Sequence, residues 1–302
     1  MTGIVVHGGA GSVAPERHER LRAGVRAAAA AGHAILAAGG SALDAAVAAV
    51  RVLEDDPELN AGLGSALTRD GTVETDAAVM DGATQRVGAV GAVPELGCAI
   101  ALARAVLDAG EHVLLVGPAA LRFAAEVGIA AAAPGSLVTE RARRQLARLA
   151  EGRRGPIDGG TVGAVARDRD GRFAAATSTG GIAGKRSGRV GDSPIAGAGT
   201  WADGGIAISA TGDGEAIVRV GLARVLALRV ADGSLLRVAA ERGLAELARV
   251  TGGTAGLIAL DARGAVMLQL SPTMPVAFHL GDRTGDGLGE QWTDHSAGPT
   301  SH

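Results

Sequence analysis

Four threonines stand where the chain passes between glycine-rich loop and strand. Thr161 follows Gly159-Gly160, Thr177 and Thr179 end the run that begins at Arg172, and Thr211 precedes Gly212. A hydroxyl is a weak nucleophile at neutral pH unless a base lies beside it. Cleavage in front of a threonine creates such a base, the new α-amine of that same residue. An α-amine has an unperturbed pKa of about 8, so a small downward shift frees it to take the hydroxyl proton. Neither imidazole nor metal is then required. Taken singly, each of these threonines is more simply accounted for by the preference of Thr for strand ends.

Other chemistries find less support. The seven histidines are scattered, with no His-x-x-x-His and no Glu-flanked pair to hold zinc. His7-Gly8-Gly9-Ala10-Gly11 has the look of a lipase oxyanion loop, but no Gly-x-Ser-x-Gly elbow exists to supply its nucleophile. Thr179 to Arg186 imitates a phosphate-binding loop and lacks both its leading Gly and its trailing Ser or Thr. Cys98 is the only cysteine, which excludes an intramolecular disulfide framework and fits a reducing cytosol.

The elements that must position these groups alternate between helix and strand. A chain of 302 residues with 47% hydrophobic content buries one large core or two closely packed halves, and a net charge of −3 gives no electrostatic case for nucleic acid or an anionic membrane. A small-molecule partner is expected. No export leader follows Met1 and no apolar run of about 20 residues spans a bilayer, so the expected compartment is the cytoplasm. Helices are expected over Glu16–Ala38 and from Ala42 to about Leu53, the second capped by Ser41. Further helices are expected over Cys98–Asp108, Pro118–Glu126 and Glu140–Ala150, with two more ending near Val250. Strands are expected near Ile4–Val6, Thr72–Met80, His112–Val116, Thr161–Ala166, Arg172–Thr177, Ile206–Ser209, Gly256–Leu260 and Ala265–Leu270, before a polar tail from about Thr284. Glu151 to Gly160 has the composition of an exposed linker and is the best internal boundary. Meander-like hairpins flanked by paired helices favour two sheets covered by helices over a parallel wound sheet.

Several blocks, in order and over nearly the whole chain, are similar to the plant-type asparaginase/isoaspartyl-peptidase family: His7–Gly11, Leu53–Ser65, Asp76–Gly82 (DAAVMDG), Gly160–Ala166 (GTVGAVA), Ala175–Gly181 (ATSTGG), Gly188–Pro194 (GRVGDSP) and Ser209–Glu215 (SATGDGE). The resemblance implies an α+β fold, the four-layer αββα sandwich of N-terminal-nucleophile hydrolases. The precursor would cut itself between Gly160 and Thr161 into an α subunit (1–160) and a β subunit (161–302), with a homodimer of αβ units as the assembly. By position, Thr161 is the implied nucleophile and Thr179 the threonine that hydrogen-bonds it. Thr211, Gly212 and the side-chain amide of Asn60 are the implied oxyanion donors. Substrate would be read by Arg189-Val190-Gly191-Asp192 and by Thr211-Gly212-Asp213-Gly214, with Arg189 on the α-carboxylate and Asp192 on the α-ammonium.

No cofactor is implied for catalysis. A structural sodium ion is implied on the backbone carbonyls of Leu53, Glu54, Asp56, Leu59, Ala61 and Leu63. The implied reactions are hydrolysis of L-asparagine to L-aspartate and ammonia and cleavage of β-aspartyl dipeptides. The rival readings are a glycosylasparaginase, which the absence of a leader disfavours, and an unprocessed, non-catalytic aspartate-binding protein. Three departures stand out: Gly184 where many relatives have Asn, a short linker before Gly160, and Ser271–Pro275, which is nearer to the animal branch.

Overall fold

In the first strand, β1 (Gly3–His7), Ile4 and Val6 face one way and Val5 and His7 the other, yet every residue is buried. A strand whose two faces are both dry belongs to a sheet covered on both sides. The computed structural model, which describes residues 2–153, 160–289 and the backbone of 292–295, shows what covers it. β1 pairs antiparallel with β5 (Val162–Arg167) and β11 (Val276–Leu280) inside an eight-stranded sheet. That sheet also holds β2 (Glu74–Asp81), β3 (Arg86–Pro94), β4 (Leu114–Val116), β6 (Phe173–Thr179) and β12 (Arg283–Gly287). A second sheet of five strands contains β7 (Thr200–Ala202), β8 (Ile206–Gly212), β9 (Ala255–Asp261), β10 (Gly264–Gln269) and β13 (Trp292–His295).

Three apolar clusters fill the gaps between layers. Ile4, Val6, Val79, Val162, Ala164 and Ala176 meet the helices α1 (His18–Ala37), α2 (Ala42–Glu54) and α3 (Ala99–Ala109) on the outer face of the large sheet. Ile208, Ala210, Leu257 and Leu268 meet α6 (Gly214–Val220), α7 (Leu222–Ala231) and α8 (Leu236–Thr251) outside the small one. Val5, Met80, Val165, Phe173, Ala207, Ile258 and Met267 pack the two sheets on each other. The order is helices, sheet, sheet, helices, which is the four-layer αββα sandwich expected from the resemblance.

Local signals explain the element ends. The Ser41 hydroxyl accepts from the Asp44 amide at 3.1 Å and starts α2, and Thr139 starts α5 (Glu140–Ala150) in the same way. α4 (Gly117–Glu126) begins at Gly117-Pro118, a residue pair suited to a helix start. The helix expected from Glu16 opens instead as a 3-10 turn over Pro15–Arg17 and becomes α-helical at His18.

The structure differs from the sequence expectation at several elements, among them β11, where no strand was expected. β3 carries almost no polar residue, because both of its faces are buried, so alternation cannot reveal it. β7 lies in the glycine-rich stretch between residues 179 and 205, where no strand was expected. The two helices expected before Val250 are three, since Gly221 takes φ 60° and breaks the first from the second. The polar tail starts as β12, an edge strand whose polar composition suits an edge. Most of the expected linker, residues 154–159, lies outside the described residues.

Helix α1 packs against β1 and α2 through Gly32, where an added Cβ would stand 2.1 Å from Ile4 Cδ1 and 2.8 Å from the Ala45 carbonyl. One face of that contact is backbone and cannot turn aside. Gly32→Ala is expected to destabilise the fold by about 1–3 kcal/mol, the usual cost of overpacking, read as a lower midpoint in urea with an unchanged slope.

Candidate active site

The residues that carry chemistry sit on the inner faces of the two sheets. In β6, Ala174 and Ala176 face the helices, which leaves Phe173, Ala175, Thr177 and Thr179 on the inner side. In β8, Ile206, Ile208 and Ala210 face the other helices, so Ser209 and Thr211 point inward. Val162 pairs with Ser178, and that register sets Thr161 beside Thr179 at the end of the ladder. Alternation alone therefore gathers Thr161, Thr177, Thr179, Ser209, Thr211 and His7 into one buried interface.

Glycine makes the approach close enough. A Cβ on Gly163 would lie 2.0 Å from Ser209 Oγ and 2.6 Å from His7 Nε2, so only glycine lets β5 and β8 meet there. A Cβ on Gly160 would lie 2.7 Å from Thr211 Oγ1 and 2.8 Å from both the amide nitrogen and the carbonyl oxygen of Ala10. The peptide joining Gly160 to Thr161 is thus held against Thr211 and the His7–Gly11 turn. Ala10 N–H donates to Thr211 Oγ1 at 3.1 Å. The Thr161 hydroxyl lies 3.3 Å from Ser193 Oγ. Thr179, expected as its partner, instead accepts from Gly181 N–H at 2.9 Å. His7 Nε2 is 2.9 Å from Ser209 Oγ, and burial, only partly opposed by the Thr161 backbone, drives the imidazole down to about 3. His7 is therefore neutral at physiological pH, and with so low a pKa it is a weak proton acceptor.

Beside this core lies a charged pocket. Over Gly214, the position of a would-be Cβ is 2.8 Å from both Arg189 Nη2 and Asp192 Oδ1, so a guanidinium and a carboxylate converge on one small space. Asp192 is buried and its Oδ2 has no hydrogen-bond partner among the described residues; burial pushes the carboxyl up to about 7. The Arg189 fork is braced by Glu215, with Nε donating to Oε1 at 2.9 Å and Nη2 to Oε2 at 2.8 Å, which holds Glu215 below the usual carboxylate range. Gly191 N–H donates to the buried Asp76 carboxylate at 3.0 Å, and Val190 packs on the Cα side of Gly91 in β3. The Arg189–Asp192 segment is thereby tied to the large sheet.

The asparaginase family matches residues 1–287. An isoaspartyl peptidase/L-asparaginase of Bos taurus is 46% identical over 268 residues, covering 86% of this chain and 87% of its own. The Danio rerio protein of the same name is 39% identical over 306 residues, 97% of this chain and 99% of that one. An isoaspartyl peptidase of Salmonella typhimurium is 44% identical over 283 residues, with 88% and 90% covered. This chain belongs to the asparaginase family. The family match over residues 1–287 includes every site residue named above.

Within this asparaginase chain several expected groups have other work. The Asn60 side-chain amide donates to the Gly181 carbonyl at 2.7 Å, while its Oδ1 accepts from Ala66 N–H at 2.7 Å. Asp213 caps α6 by accepting from Ala216 N–H at 3.2 Å, and Gly212 holds φ 135° with the Thr254 carbonyl 2.5 Å from where a Cβ would stand. Of the carbonyls expected to hold sodium, that of Asp56 accepts from Leu59 N–H, that of Ala61 accepts from Gly64 N–H, and that of Leu59 accepts from Arg141 at 3.3 Å. Gly62 adopts φ 51°, and a Cβ there would meet the Glu54 carbonyl at 2.4 Å. A tightly curled loop rich in backbone oxygens suits a hard cation. Among the described residues no group of three or more His, Cys, Asp or Glu side chains could hold a metal.

Residue-by-residue reading of the sequence missed His7, Asp76, Ser193, Ser209 and Glu215 as parts of this site. Counting in twos from Thr177 and Thr211 would have found Ser209, whereas Ser193 and Asp76 are joined to it only by the fold. Burial of Asp192 also has a consequence for stability. Its native pKa of about 7 lies above its unfolded value, so between about pH 4 and 7 the native state binds the extra proton and stability falls as pH rises. Asp192→Asn is expected to raise Tm by at least about 3 °C at pH 8 and to make little difference at pH 5, by differential scanning fluorimetry at both.

Proposed function

We propose that this protein cuts its own chain between Gly160 and Thr161 and then hydrolyses L-asparagine and β-aspartyl dipeptides through an ester on Thr161. The observation that carries the reading is the convergence of Arg189 Nη2 and Asp192 Oδ1 over Gly214, one residue away from Ser193, which touches Thr161. A guanidinium and a carboxylate about one small group apart match the α-carboxylate and α-ammonium of an amino acid. Asp192 Oδ1, the carboxylate oxygen that reaches this space, is the acceptor that such an ammonium would satisfy. Asparagine and β-aspartyl peptides share that zwitterion, and both carry the scissile amide on its side chain.

In the precursor the Thr161 hydroxyl adds to the Gly160 carbonyl, the C–N bond breaks, and the chain is held as an ester until water releases it. The amine set free stays on Thr161. In turnover that amine takes the hydroxyl proton as Oγ1 attacks the substrate amide, then passes it to the departing ammonia or amino acid. Water cleaves the β-aspartyl ester to give aspartate. Thr211, packed against Gly160, with Gly212 and the remaining Asn60 amide proton, supplies donors to the tetrahedral oxygen, where charge exists only during reaction. Thr179 steadies the same end of the ladder. Sodium held by carbonyls of the Leu53–Leu63 loop would stiffen the segment that carries Asn60 and take no part in bond making. A homodimer of αβ units working in the cytoplasm completes the proposal; among the described residues no helix is long and apolar enough to cross a membrane.

Thr161→Ala is expected to remain one chain on prolonged incubation and to lose turnover by more than about 1,000-fold, whereas the unaltered protein yields two fragments with threonine heading the second. Intact mass spectrometry with an ammonia-release assay checks both. An unbroken chain with full activity would remove the reading. Because Asp192 must ionise to hold an ammonium, KM for asparagine is expected to fall as pH rises from 6 to 8, by about fivefold or more, and to lose that dependence in Asp192→Asn.

A further inference from the structure

Ser193 has no assigned part in the reaction, yet it is fully buried and its hydroxyl is the side-chain group that the Thr161 hydroxyl meets, at 3.3 Å. We propose that Ser193 is the residue that holds Thr161 Oγ1 on line for attack, and that a buried chain of hydroxyls is present to fix Ser193 in that place. The inference rests on the reading of Thr161 as the nucleophile.

The chain of contacts runs across the interface between the sheets. The Ser193 carbonyl accepts from Thr200 Oγ1 at 2.9 Å, Thr200 Oγ1 lies 2.7 Å from Thr177 Oγ1, Thr177 Oγ1 lies 2.8 Å from Ser209 Oγ, and Ser209 Oγ lies 2.9 Å from His7 Nε2. All five residues are buried. Four strands, β1, β8, β6 and β7, thereby fix one backbone carbonyl. The adjoining turn is fixed as well, since the Asp192 carbonyl accepts from Ile195 N–H at 3.0 Å and Gly199 N–H at 3.1 Å. The chain reaches the Ser193 carbonyl and stops short of its hydroxyl, so it is a scaffold and not a path for protons.

What Ser193 does for the reaction follows from the donor count. In turnover Thr161 gives its own proton to its α-amine, and from then on its oxygen only accepts. Ser193 Oγ is the side-chain donor within reach, and a hydrogen bond donated into an oxygen that is gaining negative charge is stronger than one to the resting alcohol. No bond to Ser193 breaks. A contact of 3.3 Å is long for two hydroxyls and has room to tighten as that charge develops. Such a contribution acts on kcat and leaves substrate affinity alone, because Ser193 faces the nucleophile and Arg189 and Asp192 face the zwitterion.

The test uses the full-length protein with Ser193→Ala, Thr200→Val, Thr200→Ser, the Ser193→Ala/Thr200→Val double variant and Thr161→Ala. Self-cleavage is followed by intact mass, kcat and KM with L-asparagine, and Tm by calorimetry. Ser193→Ala is expected to lower kcat by about 10- to 100-fold, less than the loss of an oxyanion donor, with KM within about threefold and self-cleavage slowed. Thr200→Val, which keeps shape and removes the donor, should lower kcat severalfold, and Thr200→Ser should restore it. The double variant should be no worse than Ser193→Ala, since Thr200 acts through Ser193. A kcat for Ser193→Ala within twofold of the parent, or losses that multiply in the double variant, would overturn the proposal. Should Ser193→Ala fail to fold, equal kcat in Thr200→Val and Thr200→Ser overturns it in the same way. Turnover by Thr161→Ala would instead bring down the nucleophile reading itself, an outcome separable from a silent Ser193.

Discussion

The architecture is governed by one requirement, that the hydroxyls placed between two sheets find partners in each other. A hydroxyl buried without a hydrogen bond costs a few kcal/mol, and water has no ready way into a cleft lined by Val5, Val165, Phe173 and Ile258. The interface answers with self-sufficiency. His7, Ser209, Thr177, Thr200 and the Ser193 carbonyl satisfy one another in sequence, each at 2.7 to 2.9 Å. A network so connected is rigid, because moving one member strands the next. That rigidity is what the proposed nucleophile needs, and Thr161 sits at its edge, beside Ser193.

Glycine is the second half of the same solution. The sheets approach so closely at the site that Gly163, Gly160 and Gly214 leave no room for a methyl group. Each absence of a side chain admits a functional one: His7 and Ser209 over Gly163, Thr211 over Gly160, Arg189 and Asp192 over Gly214. The unusual content of 48 glycines in 302 residues is partly explained by such positions, alongside the many turns. Removing the Cβ costs backbone entropy on folding, and the well-packed helical layers on both outer faces offset it.

How much of this was legible in the sequence depends on how local each signal is. Helix ends were readable because Ser41 and Gly39-Gly40 act within a few residues. The αββα order followed from the family blocks and the two-sheet reading. β3 and β7 were invisible because a strand with two buried faces, or a short strand amid glycines, carries no period-two pattern. Thr161, Thr211, Arg189 and Asp192 were singled out through their motifs, and the fold sets Thr211 over Gly160, next to Thr161, and Arg189 with Asp192 over Gly214. Ser193 and Asp76 escaped because their roles depend on partners far along the chain, at Thr161 for the first and at Ala92 and Gly191 for the second.

The two buried carboxyls near the site show how the fold separates stability from function. Glu54 and Asp192 are both pushed up to about 7 by burial, but Glu54 Oε1 accepts from Ser178 Oγ at 2.6 Å and Ile100 N–H at 2.9 Å, and its Oε2 lies 3.5 Å from the Arg51 guanidinium. It braces α2 against β6 and α3 and faces no ligand. Asp192 instead turns Oδ1 toward the small space over Gly214 that Arg189 Nη2 also reaches. The same desolvation therefore fastens one carboxyl into the scaffold and leaves the other waiting for a positive group. An anion kept unpaired in a dry place is costly, and the cost is recovered when a cation from outside binds. On the proposed reading, affinity for a zwitterion derives from an interaction the fold alone does not make.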